Sequence, residues 1–216
     1  MAGTGTEKNE LSAPQAIERL MAGNERFLRG DPPAVLEAGV CFDETCDGQA
    51  PFAIVLGCSD SRVPVEIVFD QAFGDLFVIR IAGNIVAPSQ IASVEFAATA
   101  FNTRLVVVLG HSNCGAITAT LDHLRNPGTR PAGSLGSIVR RVQPAVESVM
   151  SNSESVDYKT LHGLAVQANI RASVAQLQAG SAILENLMMT EGLMIVGAEY
   201  SLEDGTVSFL DDTLPD

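Results

Sequence analysis

The sequence predicts an α/β fold in which helices flank a mostly parallel central sheet of four to five strands. Four short apolar runs, rich in Val and Ile, alternate along the chain with longer segments of helical character. Buried parallel strands form continuous apolar runs because both faces of their sheet are covered, and strand alternating with helix is typical of this class. No stretch rich in Pro, Gly and Ser divides the 216 residues, so we expect a single domain spanning residues 1–216.

The elements follow one another in a regular order. An amphipathic helix is predicted after the polar cap Ser12, and Gly30-Asp31-Pro32-Pro33 is expected to end it. Residues 31–51 are expected to form a loop. The strands are predicted at Phe52–Leu56, Leu76–Ile79, Leu105–Leu109 and Leu193–Val196, with an extra edge strand at Gly205–Leu210. The later helices are predicted at Gln90–Phe101, Ala116–Leu124, Ser137–Met150 and, as a pair, between Tyr158 and Thr190.

Charge and hydropathy exclude several classes of protein. The chain has 26 acidic and 13 basic residues, a net charge of −13, which argues against binding of nucleic acid because that binding needs clustered Lys and Arg. No apolar run approaches the roughly 20 residues of a membrane-spanning helix, and Met1–Leu11 lacks the pattern of a signal peptide. We therefore expect a cytoplasmic protein without membrane insertion, whose four cysteines are thiols or metal ligands rather than disulfides.

One internal similarity links two of the predicted strands. Ile54-Val55-Leu56-Gly57-Cys58-Ser59 and Val107-Val108-Leu109-Gly110-His111-Ser112 share an apolar run, a glycine, a metal-binding residue type and a serine. The carboxyl ends of parallel strands lie at one edge of a sheet, where open α/β folds bind ligands. Cys58 and His111 are therefore expected to converge.

Cys114 adds a second thiol three residues after His111, so that a turn could present both side chains to one ion. Two sulfurs and one nitrogen suit zinc and leave a fourth position open, as in catalytic sites. Two alternatives stay open: the three residues are ordinary core residues, or zinc is structural with Asp60, Cys41 or Cys46 as fourth ligand. Asp60 and Arg62 are spaced for a bidentate ion pair beside this metal.

At this point the motifs resemble those of the β-class carbonic anhydrases over about residues 49–120. The matching segments are Cys58-Ser59-Asp60-Ser61-Arg62-Val63-Pro64, Gly74-Asp75-Leu76-Phe77-Val78-Ile79-Arg80, Ala82-Gly83-Asn84 and His111-x-x-Cys114-Gly115. The resemblance implies one zinc ion per subunit on Cys58, His111 and Cys114, with Asp60 and Arg62 as a catalytic dyad. It also implies reversible hydration of carbon dioxide to bicarbonate and a proton through a zinc-bound hydroxide.

The resemblance further assigns substrate contacts to Gln49, Phe77 and Gly115. Phe96 is also assigned to the substrate but stands where similar members have a tyrosine, so one hydroxyl is lost. Plain core packing is the alternative for both Phe77 and Phe96. Val55 replaces the tryptophan of members that bicarbonate inhibits, which favours Asp60 paired with Arg62. Binding of Asp60 to zinc at low pH is the alternative, because zinc and Arg62 compete for the same carboxylate.

The resemblance implies a homodimer or homotetramer in which a helical arm, residues 1–35, packs on a partner subunit. Within enzymes the alternative is hydrolysis of a related small molecule such as carbonyl sulfide; outside them it is a non-catalytic, zinc-stabilised binding or regulatory module. Cys41 and Cys46 are expected to be free thiols, with a redox pair or an extra metal site as the alternative. Two thiolate ligands predict a less acidic zinc-bound water than the pKa of about 7 known for carbonic anhydrases with three histidine ligands, hence activity that climbs at mildly alkaline pH.

Overall fold

A computed structural model of the protein describes residues 9–31, 33, 48–126, 128, 133–153 and 156–214. The described residues contain one five-stranded sheet with the order β2-β1-β3-β4-β5. Its strands are β1 (Ala53–Gly57), β2 (Leu76–Arg80), β3 (Leu105–His111), β4 (Met194–Tyr200) and β5 (Val207–Phe209). The first four are parallel, and β5 runs antiparallel to β4 at the edge. The predicted fold class is thus confirmed.

The helices cover both faces of this sheet. They are α1 (Ala13–Arg29), α2 (Val65–Val68), α3 (Pro88–Ala100), α4 (Gly115–Arg125), α5 (Leu135–Asn152), α6 (Tyr158–Ala179) and α7 (Ala182–Thr190). The larger apolar cluster lies between the sheet and α3 to α7, and the smaller one lies on the other face with α1 and α2. The sequence predicted every α-helix in this set except α2, a single turn after Pro64.

Helix α1 begins and ends where its sequence signals stand. The backbone N–H of Ser12 donates to the Gln15 side chain at 2.9 Å, and Gly30 ends the helix with φ of 70°, a left-handed conformation that glycine adopts readily. Ala16 and Leu20 of this helix are fully buried against the smaller cluster of their own chain. Packing of residues 1–35 on a partner subunit stays a prediction.

Strand β4 continues four residues beyond the predicted end at Val196. Gly197 interrupts the apolar run, but it lies inside the strand because α6 approaches closely there: a Cβ at this position would lie 2.6 Å from Cγ2 of Ile170. Here the glycine therefore marks a close contact between helix and strand, not a strand end. Among the described residues, the structure contains no helix that is long and apolar enough to cross a membrane.

Candidate metal centre

Two neighbouring parallel strands bring the predicted ligands together. Cys58 directly follows β1, His111 is the last residue of β3, and the two strands pair in parallel register. A turn at Asn113, with φ of 56°, then places Cys114 at the amino end of α4. One ligand atom from each of the three residues, two Sγ and one ring nitrogen, lies within 4.8 Å of the others, and all three residues are buried. The expected convergence of Cys58 and His111 is present.

The histidine ring is oriented for metal binding. Nδ1 lies 2.9 Å from the carbonyl oxygen of Ser112, so Nδ1 carries the proton and Nε2 keeps its lone pair. Nε2 is buried and has no hydrogen-bond partner among the described residues. A buried polar atom without a partner is costly unless something else binds it. With two thiols adjacent, the residues present fit a zinc ion.

The thiol pKa values of Cys58 and Cys114 are shifted in opposite directions. A hydrogen bond from the Cys114 thiol, together with one from the backbone N–H of Gly83 at 3.3 Å, holds the pKa of the Cys58 thiol well below its usual value. Because Cys114 donates to this thiolate and is itself buried, the pKa of its own thiol is raised. A bound cation would stabilise both sulfurs as thiolates.

Asp60 and Arg62 form a bidentate ion pair beside the ligands. Arg62 donates from Nε to Oδ1 at 2.9 Å and from Nη2 to Oδ2 at 2.8 Å. Oδ2 also lies 3.9 Å from Nε2 of His111. The Arg62 guanidinium holds the pKa of the Asp60 carboxyl well below its usual range. Asp60 is therefore a fixed, ionised hydrogen-bond acceptor beside the three candidate ligands.

Arg80 secures the backbone that carries Cys58 and Asp60. It lies at the end of β2, paired in register with Gly57. Its Nε donates to the carbonyl oxygen of Cys58 at 3.0 Å, and Nη2 donates to that of Asp60 at 2.6 Å. Sequence reasoning missed these contacts because they depend on β2 lying next to β1, which no local pattern specifies.

The aromatic residues assigned to the substrate lie in one cluster. The ring centroid of Phe77 is 6.1 Å from that of Phe96 and 6.1 Å from that of Phe101. Phe77 packs on the same apolar cluster that contains Cys58 and Cys114, whereas Phe96 is 54% exposed. This cluster therefore lies on the ligand side of the sheet.

The other two residues assigned to the substrate, Gln49 and Gly115, are not buried. Gln49 is exposed in the segment before β1 and forms no hydrogen bond to another described residue, and Gly115 is exposed at the start of α4. Cys41 and Cys46 lie outside the described residues.

Comparisons with known proteins find similar sequences over most of this chain. The family model described as carbonic anhydrase matches residues 53–207. Carbonic anhydrase 2 of Mycobacterium tuberculosis is 37% identical over 194 residues, which cover 88% of this chain and 89% of that protein. Carbonic anhydrase of Mycolicibacterium smegmatis is 36% identical over 196 residues, with coverage of 89% and 90%.

Solved structures show the same architecture. The β-carbonic anhydrase CcaA is 26% identical, with a TM-score of 0.71 and coverage of 94% of this chain and 93% of that one. A tetrameric β-carbonic anhydrase of Sordaria macrospora shares the fold at 22% identity, with a TM-score of 0.73 and coverage of 91% and 98%. Together with the Cys-His-Cys cluster, these matches show that the chain belongs to the β-class carbonic anhydrases.

Proposed function

We propose that the protein catalyses the reversible hydration of carbon dioxide with one zinc ion held by Cys58, His111 and Cys114. The observation that supports this most strongly is the buried, unpartnered Nε2 of His111 next to two sulfurs. A bound zinc ion would supply positive charge that lowers the pKa of a coordinated water, so that a nucleophile forms near neutral pH. Carbon dioxide hydration is also the activity of the family to which the chain belongs.

Asp60 would orient the attacking water rather than accept its proton permanently. Arg62 occupies both carboxylate oxygens from one side and keeps the group ionised, which leaves lone pairs free to accept a hydrogen bond from water. A carboxylate with so low a pKa is a poor base near neutral pH. The water oxygen bonds to the carbon of carbon dioxide, one C=O electron pair moves onto oxygen to give bicarbonate, and the released proton passes to buffer.

The aromatic cluster would form the apolar side of the substrate site. Carbon dioxide is small and has no net dipole, so Phe77 and the partly exposed Phe96 suit it better than charged groups do. Gln49 and Gly115 are proposed to contribute polar contacts to the product. Because carbon dioxide is neutral, the net charge of −13 does not steer it towards the site.

We also propose that the protein is a homodimer or homotetramer of this chain, with its N-terminal arm on a partner. Among the described residues strand β2 forms an open sheet edge, and large apolar side chains are exposed on α1, α2 and the loop after α2. These are Met21, Leu28, Ile67 and Phe73. Light scattering should therefore give at least twice the chain mass of 22.7 kDa. A cytoplasmic location stays a prediction from the sequence.

Stopped-flow measurement of carbon dioxide hydration tests this function. The zinc-loaded protein should accelerate the reaction, and a chelator or Cys58→Ala should reduce the rate to background. Carbonyl sulfide serves as a competing substrate in the same assay. Faster turnover of carbonyl sulfide would favour that hydrolase activity, and zinc binding without any turnover would favour a non-catalytic module. Either result would refute the proposal.

A further inference from the structure

The long helix α6 supports all three predicted ligands, the segments of His111 and Cys114 by direct contact and Cys58 through an intervening turn. Ile170 packs so closely on β3 that a Cβ on Gly110, the residue before His111, would lie 2.5 Å from its Cδ1. Nε2 of His162 lies 3.3 Å from the carbonyl oxygen of Cys114. The third contact runs through the turn formed by Ile81–Asn84, which follows β2. Residues from three turns of one helix therefore support the whole ligand set.

This turn contains two consecutive residues in the left-handed region, one of which is not a glycine. Gly83 and Asn84 both have positive φ, at 71° and 42°, and the Asn84 side-chain nitrogen is buried without a partner among the described residues. A Cβ on Gly83 would also lie 2.9 Å from the Cβ of Ala116. A non-glycine residue with a buried, unpaired amide keeps this conformation only where the surrounding structure enforces it. The enforcing contacts should therefore be found around the turn.

Two side chains of α6 provide those contacts. Asn169 donates from Nδ2 to the carbonyl oxygen of Gly83 at 2.8 Å, and Ser173 donates from Oγ to that of Asn84 at 3.0 Å. The two residues are one helical turn apart, so they lie on the same face of α6. Each is only 3% exposed. These hydrogen bonds fix the carbonyl groups of Gly83 and Asn84.

On the other side of the same glycine, the backbone N–H of Gly83 donates to Sγ of Cys58 at 3.3 Å. We propose that Asn169 is a positioning residue that aims this N–H at the Cys58 sulfur and thereby sets how firmly Cys58 binds zinc. The inference rests on the proposed zinc site. Groups that hydrogen-bond to ligands tune the affinity and the electronic character of a metal centre, and their loss typically reduces affinity by about 10- to 100-fold.

The test compares three variants in the full-length protein. Asn169→Leu keeps the number and branching of the side-chain heavy atoms but removes the donor, and Asn169→Ser offers a smaller polar side chain if Leu prevents folding. Val174→Ala is the matched control, because Val174 is a buried apolar residue of the same helix, 4% exposed. Zinc affinity is measured by competition with a chromophoric chelator. The sulfur-to-metal charge-transfer band of the Co²⁺-loaded protein reports on the thiolate itself.

We expect the Asn169 variants to weaken zinc binding by about 10-fold or more and to shift the charge-transfer band, whereas Val174→Ala stays within about twofold of the wild type. Equal zinc affinities in the Asn169 variants and the control, with an unchanged band, would overturn the proposal. If the wild type itself bound no zinc, the proposed function would fail first, so the two failures are distinguishable.

Discussion

The two strand ends that carry the metal ligands share a sequence pattern but are held in different ways. In the first strand end, Leu56–Ser59, the backbone is fixed by hydrogen bonds from the guanidinium group of Arg80, which lies on the neighbouring strand β2 and is accessible to solvent. In the second strand end, Leu109–Ser112, contacts with α6 and with the chain after β4 hold the backbone in place. The shared pattern thus sets where a ligand stands along the chain, while contacts distant in sequence set where it lies in space.

Removal of a ligand from either strand end should have the largest effect. We expect Cys58→Ala and His111→Ala each to abolish stable zinc binding and to lower kcat/KM by more than about 10³-fold, because two remaining ligands cannot hold the ion. Metal analysis and stopped-flow assays measure both effects. The comparison variant is Cys41→Ala: it removes a thiol that the sequence offers as fourth ligand only for a structural zinc, so a catalytic centre with three protein ligands should retain zinc and activity. Full zinc content in either ligand variant would contradict the equal importance of the two ends.

Asp60 distinguishes the first strand end, because the second has no equivalent carboxylate. Since the pKa of Asp60 is well below its usual range, this group stays ionised from about pH 5 to 9 and loses its charge only in strong acid. Asp60→Asn should therefore lower kcat/KM by about 10- to 100-fold at every pH in that range, and the rise in activity towards alkaline pH should persist.

The control for this variant is Asp31→Asn. Asp31 pairs with Arg29 at the same two-residue spacing, but it lies at the end of α1. Its replacement should leave the pH–rate profile unchanged. A flat profile in Asp60→Asn would show instead that Asp60 is the titrating group.

The glycines of the two strand ends should differ in their tolerance of a methyl group. A Cβ on Gly110 would lie 2.5 Å from Cδ1 and 2.6 Å from Cγ1 of Ile170, whereas one on Gly57 would lie 3.3 Å from Cγ2 of Val65. Gly110→Ala should lower the free energy of unfolding by about 2 kcal/mol or more, and Gly57→Ala should change it by less than about 1 kcal/mol. Urea unfolding with zinc in excess measures both. Equal losses would show that the two ends are packed alike.

The serines of the pattern should show the smallest difference. Oγ of Ser112 accepts a hydrogen bond from the backbone N–H of Leu202 at 2.9 Å, while Ser59 is exposed. Ser112→Ala should therefore cost about 1 kcal/mol of unfolding free energy, and Ser59→Ala should stay within about 0.5 kcal/mol of the wild type. Thermal unfolding of both variants, with zinc in excess, is sufficient to compare them. A larger loss in Ser59→Ala would reverse the comparison.

Local signals predicted most of the fold. The apolar runs of β1 and β3, the cap of α1 and its terminal glycine are readable because each depends on neighbours in sequence. The prediction missed two features for different reasons. Strand β4 continues through Gly197 because α6 packs closely there, and α2 is a single turn, too short for a periodic pattern. Sequence spacing alone could not show that β1 lies between β2 and β3.

For the candidate site, the sequence predicted the metal ligands but not the residues that support them. Cys58, His111 and Cys114 could be found because a repeated strand end and a short spacing mark them. The supporting residues Arg80 and Asn169 could not, because they act on backbone atoms of distant segments. The only local signal for Asn169 was an amide between apolar residues on a helix, which indicates a buried polar group in need of a partner.

The central claim is that both strand ends bind one zinc ion and that this ion is required for hydration of carbon dioxide. Titration of the metal-free protein with zinc, with carbon dioxide hydration followed by stopped flow at each addition, tests it most directly. The rate should rise in proportion to added zinc and reach a plateau at one ion per chain. A rate that is already maximal without zinc, or that stays at background after one equivalent has bound, would contradict the claim.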